Sequence, residues 1–458
     1  MQKIKFGTDG FRGIIADTFT FDNVARISRA VAEYLLSKEE SVRKRGVVVG
    51  YDRRFLSDKF ADIVAEELTR RGIPVFLTAK AVPTPAVSCY IRQHRLPCGI
   101  ILTASHNPAL FNGFKIKDEH GASASEAVTR LIEDNISKGE HARKEAVGAA
   151  VVKKVEIINP YLRLVKSYLN FDVLRDAGFQ VMIDAMHGVG SGIIEKVLEK
   201  TRCRVTGIRT SRDVLFGGVN PEPILENLSL LQRTVKSTPC DLALSLDGDA
   251  DRIGAMCPNG AYISSHRAIC LLLLHLIENR KMTGKVIKSI NTTTMVDKIT
   301  QHFNLPLEVV PVGFKNIASR MLKEDVLLGG EESGGIGFKN YMPERDGVLS
   351  GLLLLELMAY RKQGILEIIR DMERRFGHFV YMRNDLKTTS LKKIPHPRQI
   401  GNKRVVDIKT YDGTKFILED ESWLLIRASG TEPIVRIYAE SGSIKSTRAL
   451  IAYGCGLL

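Results

Sequence analysis

The sequence predicts an α/β protein of several domains, with mainly parallel sheets that helices cover on both faces. Short apolar runs of strand length alternate with segments whose apolar residues recur at three and four positions, as expected of strands alternating with helices. The 458 residues suggest three or four domains of the usual size of about 100 to 150 residues. Hydrophobic residues at 44% and charged residues at 26% are ordinary values for a folded globular chain.

The predicted elements follow one another along the whole chain. Strands are predicted at residues 47–49, 100–102, 181–183, 242–246, 326–328 and 423–426. Helices are predicted at residues 58–70, 125–136, 191–199, 267–278 and 351–361. The alternation pauses in polar or glycine-containing sequence near residues 148–153, 258–260 and 376–385. These pauses predict four domains, at residues 1–150, 151–257, 258–375 and 376–458.

The formal net charge of +14 is compatible with a nucleic-acid partner or with small anionic substrates in an electropositive cleft. The densest basic runs, at residues 43–45, 153–154 and 392–393, are short and lack interleaved aromatic residues. Such runs are typical of a solvated surface. We therefore expect a small-molecule substrate and no nucleic acid.

The seven cysteines are scattered and never form a C-x-x-C pair, which indicates a reducing compartment and no zinc site. The N-terminal residues are charged and contain no apolar signal segment. No apolar stretch approaches the roughly 20 residues that a membrane span requires. We expect a cytoplasmic protein without a membrane partner; the sequence does not indicate its oligomeric state.

Four unusual polar loops each follow a predicted strand directly. They are residues 103–108 (TASHNP), 247–252 (DGDADR), 329–335 (GGEESGG) and 427–433 (RASGTEP). In open α/β sheets, ligands bind outside the carboxyl ends of strands. We therefore expect these loops, one from each domain, to face a common cleft.

The first loop presents Ser105 straight after a buried strand, with His106 beside it and Lys115 ten residues further on. A hydroxyl in such surroundings is a candidate nucleophile. The pattern predicts that Ser105 carries a phosphoryl group covalently.

The second loop contains Asp247, Asp249 and Asp251 at alternate positions, which point to the same side of an extended backbone. Three hard oxygens suit Mg²⁺, and a phosphorylated Ser105 would add a further ligand. An EF-hand would need Gly and Glu where this chain has Arg252 and Pro258. A solvated acidic turn is the remaining alternative, and repulsion between three close carboxylates disfavours it.

The fourth loop combines the guanidinium of Arg427 with Ser429, Gly430 and Thr431. These groups suit a phosphate dianion, because arginine donates in pairs and glycine lets backbone N–H groups approach. Arg436 would add a second guanidinium. A plain S-G-T turn is the alternative, which the preceding strand and the flanking arginines disfavour.

The third loop offers Glu331, Glu332 and Ser333 as acceptors for vicinal hydroxyls, as on a sugar ring. Glycosidase chemistry by the paired carboxylates is disfavoured because adjacent residues of an extended loop point apart. Residues 7–13 (GTDGFRG) are rich in glycine but match no dinucleotide fingerprint, and the chain has neither a Walker A sequence nor a G-x-S-x-G elbow.

The four loops, in their order along the chain, resemble the motifs of the α-D-phosphohexomutase family. The resemblance covers nearly the whole chain. Residues 103–108 resemble the family's phosphoserine loop, residues 247–252 its magnesium loop, residues 330–335 its sugar-specificity loop and residues 427–433 its phosphate-binding loop. Residues 7–13 resemble its N-terminal segment, in which Arg12 would contact the transferring phosphoryl group. Lys115 matches a lysine near the phosphoserine, and Lys315 one that faces the substrate.

The resemblance implies three strand-helix domains with mixed, mainly parallel sheets and a smaller α+β C-terminal domain around a central cleft. The implied reaction is reversible phosphoryl transfer between O1 and O6 of a hexose phosphate, through phosphorylated Ser105. A hexose 1,6-bisphosphate would be both intermediate and activator. Ser105 and the three aspartates would bind Mg²⁺, with Arg12, His106 and Lys115 as further catalytic residues. Lys315, residues 331–333, Arg427, residues 429–431 and Arg436 would bind substrate.

The Glu-Glu-Ser loop is similar to that of the glucose-type members, so the resemblance implies a phosphoglucomutase with phosphomannomutase as a second activity. Phosphoglucosamine mutase is the alternative within the family. A magnesium-dependent sugar phosphatase and a non-catalytic phosphosugar-binding protein are alternatives from other classes.

Three features depart from the family pattern. Ala428 stands where many members have proline, and Gly335 stands where mannose- and glucosamine-type members often have histidine. The chain also ends early for the closing helix of the fourth domain. We therefore expect a looser phosphate loop and no acid or base role at position 335, and the early chain end leaves the packing of the last domain open.

Overall fold

The computed structural model describes residues 4–7, 9–138, 150–387, 394–428 and 434–458. They form three α/β domains and a C-terminal α+β domain around a cleft, so the predicted fold class is confirmed.

The first domain contains a six-stranded mixed sheet of order β1-β5-β4-β2-β3-β6. Its strands are β1 (Phe11–Ile14), β2 (Val47–Tyr51), β3 (Val75–Thr78), β4 (Gly99–Leu102), β5 (Phe111–Lys117) and β6 (Val152–Val155). Its helices are α1 (Phe21–Leu36), α2 (Glu40–Arg43), α3 (Ser57–Thr69), α4 (Thr84–His94) and α5 (Glu126–Ser137).

The central strands of this sheet are apolar throughout because helices cover both faces. Val47 and Val49 pack with residues of α1 and α3, whereas Val48 packs with residues of α4. Neighbouring side chains of a strand point to opposite faces, so consecutive valines fill two cores.

The second domain has a five-stranded sheet of order β11-β10-β9-β7-β8. Its strands are β7 (Gln180–Asp184), β8 (Arg204–Ile208), β9 (Leu242–Leu246), β10 (Ile253–Met256) and β11 (Tyr262–Ile263). Its helices are α6 (Ile158–Tyr168), α7 (Phe171–Leu174), α8 (Ile193–Leu198) and α9 (Ser229–Ser237).

The third domain has a four-stranded sheet of order β13-β12-β14-β15. Its strands are β12 (Lys285–Ser289), β13 (Leu307–Val310), β14 (Val326–Gly330) and β15 (Ile336–Phe338). Its helices are α10 (Ser265–Leu274), α11 (Met295–His302), α12 (Phe314–Met321), α13 (Gly347–Arg361) and α14 (Ile365–Phe376). The helix predicted at residues 267–278 is α-helical only to Leu274 and continues as a π-helical turn, His275–Asn279.

One continuous apolar core joins the three α/β domains. It extends from α4 through α6 and α8 to α10 and α13, and α13 packs against β9 and β10 of the second domain. This explains why the sequence of α13 is apolar almost all round, from Val348 to Met358. The first three domains are therefore expected to behave as one body.

The C-terminal domain has a six-stranded sheet of order β16-β21-β20-β19-β18-β17. Its strands are β16 (Val380–Lys387), β17 (Gln399–Ile400), β18 (Lys403–Lys409), β19 (Thr414–Leu418), β20 (Trp423–Ala428) and β21 (Ile434–Ser441). One face packs on α15 (Ile444–Gly456). The other face presents Trp423, Leu425 and Tyr438 to Ile290 of the third domain.

The sequence alone leaves the packing of this last helix open, and the structure defines it. Residues 444–456 form a complete helix of 13 residues, which Ser443 caps by accepting a hydrogen bond from the Ser446 N–H. Leu450 is buried against β20 and β21. Residues 444–456 therefore cover one face of the sheet.

Two short strands lie just beyond the predicted domain boundaries. β6 pairs in parallel with β3 of the first sheet, and β11 pairs with β10 of the second. Among the residues described, none of the helices has the length and apolar character needed to cross a membrane.

Candidate active site

Ser105 lies in the turn that follows β4 and is fully buried. Its backbone N–H donates to Thr103 Oγ1 at 2.8 Å, and its hydroxyl donates to Asp247 Oδ2 at 2.7 Å. His106 Nδ1 lies 3.4 Å from the same hydroxyl. The predicted nucleophile and the first aspartate of the second loop are therefore in direct contact across a domain boundary.

Arg54, which the sequence reasoning missed, holds the serine loop. Its side chain is fully buried, and its Nε lies 3.2 Å from Asp52 Oδ2. Its guanidinium donates at 2.6–3.0 Å to four loop carbonyls, those of Ser105, Asn107, Pro108 and Phe111. A signal was present, because Asp52 and Arg54 also follow a buried strand, β2, at its carboxyl end.

The three aspartates follow β9, and each is fully buried. Their carboxylates place ligand oxygens within 4.8 Å of one another. The two loops are also tightly packed, since a Cβ atom at Gly248 would lie only 2.4 Å from the Ser105 carbonyl oxygen. The sequence prediction that these carboxylates converge is confirmed.

The residues fit a divalent cation. Asp249 Oδ1 and Asp251 Oδ1 are buried without a hydrogen-bond partner. Burial and the charges of Asp249 and Asp251 raise the pKa of Asp247 well above its usual range. Unpaired carboxylate oxygens in so small a space call for a positive charge, and an all-oxygen donor set with the Ser105 hydroxyl nearby suits Mg²⁺.

Lys115 projects from β5 into the same carboxylates and is almost fully buried. Its Nζ lies 2.9 Å from Asp249 Oδ2, 2.8 Å from Asp9 Oδ2 and 3.5 Å from Asp251 Oδ2. Burial alone would lower the pKa of Lys115, but these carboxylates raise it above the usual value. Lys115 is therefore a fixed positive charge at the site.

Arg345 is a second cation of the site that the sequence reasoning missed. It donates from Nη2 to Asp251 Oδ2 at 2.6 Å and to Asp9 Oδ2 at 2.9 Å, and from Nη1 to Glu331 Oε2 at 3.3 Å. The run of charges at residues 344–346, just before the apolar helix α13, was the available signal.

The contacts of Arg345 also explain Gly335. A Cβ atom at position 335 would lie 2.1 Å from Arg345 Cδ, so Arg345 occupies the space of any side chain there.

Arg12 and His106 line the cleft beside Ser105. Arg12 Nη1 donates to the Asn107 side chain, and its Nη2 lies 3.8 Å from Asp9 Oδ2. Burial, with the guanidinium groups of Arg252 and Arg12, holds the pKa of His106 well below its usual range. His106 is therefore neutral at physiological pH.

The cleft has a volume of about 600 Å³, and described residues of all four domains line it. The third domain contributes Lys315 and residues 331–333, and the C-terminal domain contributes Arg383, Lys387 and Arg436. Basic groups from all four domains thus line a space that suits a small anionic substrate.

The two adjacent carboxylates of the third loop point apart, as predicted. Glu331 Oε1 accepts from the Gly313 N–H at 2.9 Å. Glu332 instead accepts from the Tyr381 hydroxyl at 2.8 Å and from Asn291 Nδ2 at 3.2 Å.

The fourth loop is described only in part. Arg427 is the next-to-last residue of β20, and its Nε donates to Asp412 Oδ1 at 2.7 Å. Arg427 does not line the cleft, whereas Arg436 of the paired strand β21 lines it. The predicted phosphate ligands Ser429, Gly430 and Thr431 lie outside the described residues.

Comparison with known proteins agrees with this architecture. Sequence models of the phosphoglucomutase/phosphomannomutase α/β/α domains I, II and III match residues 3–143, 159–260 and 264–376, and that of the C-terminal domain matches residues 387–452.

Relatives match over nearly the full chain. A phosphoglucomutase/phosphomannomutase of Thermococcus kodakarensis is 29% identical, over 99% of this chain and 98% of its own. A phosphoglucosamine/phosphogalactosamine mutase of Sulfurisphaera tokodaii is also 29% identical, over 95% of both chains. A crystal structure from Thermus thermophilus, provisionally described as a phosphomannomutase, is 32% identical with a TM-score of 0.88, over 100% of this chain and 99% of that one. The chain therefore belongs to the phosphoglucomutase/phosphomannomutase family of α-D-phosphohexomutases.

Proposed function

We propose that the protein catalyses reversible phosphoryl transfer between O1 and O6 of a hexose phosphate, with Ser105 as the phosphoryl carrier. The observation that carries this proposal is the 2.7 Å contact of the Ser105 hydroxyl with Asp247, beside a cleft that His106 and basic residues of several domains line. Phosphorylated Ser105 would transfer its phosphoryl group to the free hydroxyl of the sugar, which gives a hexose 1,6-bisphosphate. This intermediate would reorient in the cleft and return the other phosphoryl group to Ser105.

Asp247, Asp249 and Asp251, with an oxygen at Ser105, would hold Mg²⁺. When bound, the ion supplies neutralisation of the charge that develops on the transferring phosphoryl group.

The chain's own cations would act on the same charge. Lys115 is fixed by three carboxylates and Arg12 is aligned by Asn107 and Asp9, so both are oriented before substrate arrives. A loose phosphoryl-transfer transition state needs alignment and charge neutralisation more than covalent assistance. Neutral His106 would contact the reacting serine oxygen at little electrostatic cost.

The other half of the cleft would hold the rest of the substrate. Glu331, Ser333 and Lys315 would contact the sugar in either orientation. Arg436, with residues 429–431, would hold the phosphate that is not transferred. Arg427 would join them only after release from Asp412, to which it is bound in this structure. Closure of the C-terminal domain would exclude water, without which phosphoserine would hydrolyse.

We favour glucose phosphate as the main substrate and mannose phosphate as the second. This preference rests on the Glu-Glu-Ser sequence of the third loop. The relative from Sulfurisphaera tokodaii is a phosphoglucosamine/phosphogalactosamine mutase, which makes glucosamine phosphate the main competing substrate.

The test is an assay of glucose, mannose and glucosamine 1-phosphates with Mg²⁺ and a trace of glucose 1,6-bisphosphate. We expect glucose 1-phosphate to be converted fastest and the Ser105→Ala variant to lose nearly all activity. Steady release of inorganic phosphate would indicate a phosphatase, and binding without turnover a binding protein. Faster turnover of glucosamine 1-phosphate would overturn the substrate preference alone.

A further inference from the structure

Glu331 and Glu332 are neighbours in sequence but contact different domains. Glu331 is bound within the third domain, by the Gly313 N–H and Arg345, and lines the cleft. The carboxylate of Glu332 reaches β16, the first strand of the C-terminal domain. We propose that Glu332 is a positioning residue that ties the sugar-recognition loop to the C-terminal domain through Tyr381 and does not bind the hexose; this rests on the proposed function, which assigns the loop to the sugar.

Both oxygens of the Glu332 carboxylate are already engaged. Oε1 accepts from the Tyr381 hydroxyl at 2.8 Å and lies 3.8 Å from Arg383 Nη1. Oε2 accepts from Asn291 Nδ2 at 3.2 Å. The side chain is only 13% exposed. Glu331, Glu332 and Ser333 all line the cleft, and both oxygens of Glu331 are engaged as well, by the Gly313 N–H and Arg345. What sets Glu332 apart is that its donor Tyr381 belongs to the C-terminal domain.

Tyr381 is a fixed donor. Its ring packs at centroid distances of 4.1 Å from His266, 6.2 Å from Trp423 and 6.4 Å from Tyr438. Burial, and the charge of Glu332, raise the pKa of Tyr381 well above its usual range. The phenol therefore stays protonated and keeps donating to Glu332. We call this hydrogen-bonded pair the Glu332–Tyr381 latch.

Hydrogen bonds within the turn that contains Glu332 couple the position of Glu332 to that of Glu331. The Gly334 N–H donates to the Glu331 carbonyl, and the Glu331 N–H donates to the Gly335 carbonyl, both at 3.0 Å. The Ser265 hydroxyl donates to the Glu332 carbonyl. Because this turn is tight, a displacement of the Glu332 side chain would move the neighbouring Glu331.

Other polar contacts join the same two domains away from the loop. The Thr294 N–H donates to Glu440 at 2.8 Å, the Val312 N–H donates to Asp412 at 2.7 Å, and Lys415 donates to the Ile290 carbonyl at 2.6 Å. These contacts hold the domains together, whereas the latch reaches the sugar-recognition loop itself. β16 also pairs with β21, which carries Arg436. The latch would therefore fix the spacing between the sugar site and the phosphate site.

The test compares Tyr381→Phe, Glu332→Gln, Glu332→Ala and the Tyr381→Phe/Glu332→Ala double variant, assayed with glucose 1-phosphate. Loss of the latch should lower kcat/KM about tenfold, mainly through kcat, in Tyr381→Phe and in Glu332→Ala. Glu332→Gln keeps an acceptor for the phenol and should remain within about threefold of wild type. The double variant should be no worse than either single one, because both remove the same bond.

The opposite pattern would overturn the proposal. If Glu332 bound the hexose, Glu332→Gln and Glu332→Ala would both raise KM, Tyr381→Phe would leave kcat and KM unchanged, and the effects would multiply in the double variant. Tyr168→Phe is the matched control, because it removes a phenol that donates to the Lys339 carbonyl at 2.9 Å, away from the cleft.

Hydrogen exchange without substrate separates this proposal from the proposed function. Tyr381→Phe and Glu332→Ala should both speed backbone exchange in residues 330–335 and 380–387, while Tyr168→Phe should not. Unchanged exchange at residues 330–335 would contradict the latch even in a fully active enzyme. Loss of protection in these variants, together with a wild-type chain that converts no hexose phosphate, would support the latch and refute the proposed function.

Discussion

Ser105 adopts a left-handed backbone conformation, with φ of +52°. For a residue with a Cβ atom this costs about 1–2 kcal/mol. Thr103 and Arg54 offset the cost by binding the N–H and the carbonyl of Ser105. The strained turn aims the hydroxyl at Asp247 instead of into the core. Strain of this kind is common where a reactive group has to be held in one orientation.

Replacing Arg54 by lysine should damage the site although the charge is kept. Lysine can pair with Asp52 but cannot donate to four carbonyls at once. We expect a loss of about 3 kcal/mol in stability and at least a tenfold fall in kcat. Thermal unfolding and steady-state kinetics measure both, with Arg53→Lys as control. A variant with the wild-type melting temperature and kcat would show that Arg54 does not hold the loop.

Replacing Asp249 by asparagine should lower kcat at least 100-fold while KM changes less than about threefold. The reason is that a cation held by this carboxylate would act on charge that develops only in the transition state. The measurement is kcat and KM for glucose 1-phosphate at saturating Mg²⁺. Asp176→Asn, at an exposed carboxylate, is the control. An unchanged kcat would remove Asp249 from the reaction.

At the scale of elements, the sequence predicted the strands that carry the active-site loops because each is an apolar run followed at once by polar residues. β4, β9, β14 and β20 all lie where predicted. Strands such as β1 and β5 were missed because they contain charged residues, Arg12 and Lys115, whose partners Asn107 and Asp9 lie in distant segments. The charged residues of these strands belong to the active site. No local sequence pattern distinguishes such a strand from one exposed at the surface.

The N-terminus of α13 illustrates a second limit. Asp346 caps the helix by accepting from the Leu349 N–H at 2.9 Å, and it also accepts from the hydroxyls of Tyr161 and Tyr341. The cap is readable in the sequence. The two tyrosines are not, because they come from α6 and from the loop before the helix.

Asp346 should make stability depend on pH. Burial raises its pKa from 3.8 to about 6, against the opposing effect of its hydrogen bonds. The folded state therefore binds this proton more tightly than the unfolded state, and the stability contributed by Asp346 is greatest at low pH and is lost as pH rises through about 6. Relative to Asp346→Asn, the wild type should gain about 2 kcal/mol between pH 7 and pH 4.5.

Denaturation midpoints of both proteins at the two pH values measure this gain. The Asp346→Asn variant is the reference for the wild type, because the asparagine side chain does not titrate and still caps a helix well. An equal difference between the two proteins at both pH values would show that Asp346 titrates normally.

At the scale of the whole molecule, the cleft brings together loops separated by more than 300 residues. The sequence predicted that four loops converge because each lies at the carboxyl end of a strand, and the first three do contribute to the cleft. Residues 429–433 of the fourth loop lie outside the described residues. The sequence did not predict the ion pair of Arg345 with Asp9, or the bond of Tyr381 with Glu332, because such contacts depend on how domains are placed against one another. The residues of each loop indicate which chemical groups meet in the cleft, whereas the packing of the domains determines which side chains from different domains contact one another.

Magnesium should stabilise the whole protein. Binding at about 100 times its dissociation constant contributes about 2.7 kcal/mol, which for a chain of this size is a shift of about 3 °C in Tm. The measurement compares thermal unfolding with MgCl₂ or with NaCl of equal ionic strength. The shift should vanish in Asp249→Asn; an equal shift in that variant would locate the binding elsewhere.

The most direct test of the account is to locate the transferred phosphoryl group. The enzyme would be exposed briefly to glucose 1,6-bisphosphate carrying labelled phosphate, then digested, and its peptides mapped. We expect the label on the peptide that contains Ser105, its return to added glucose 1-phosphate, and no labelling of Ser105→Ala. Isomerisation that proceeds without label at Ser105 would contradict the account.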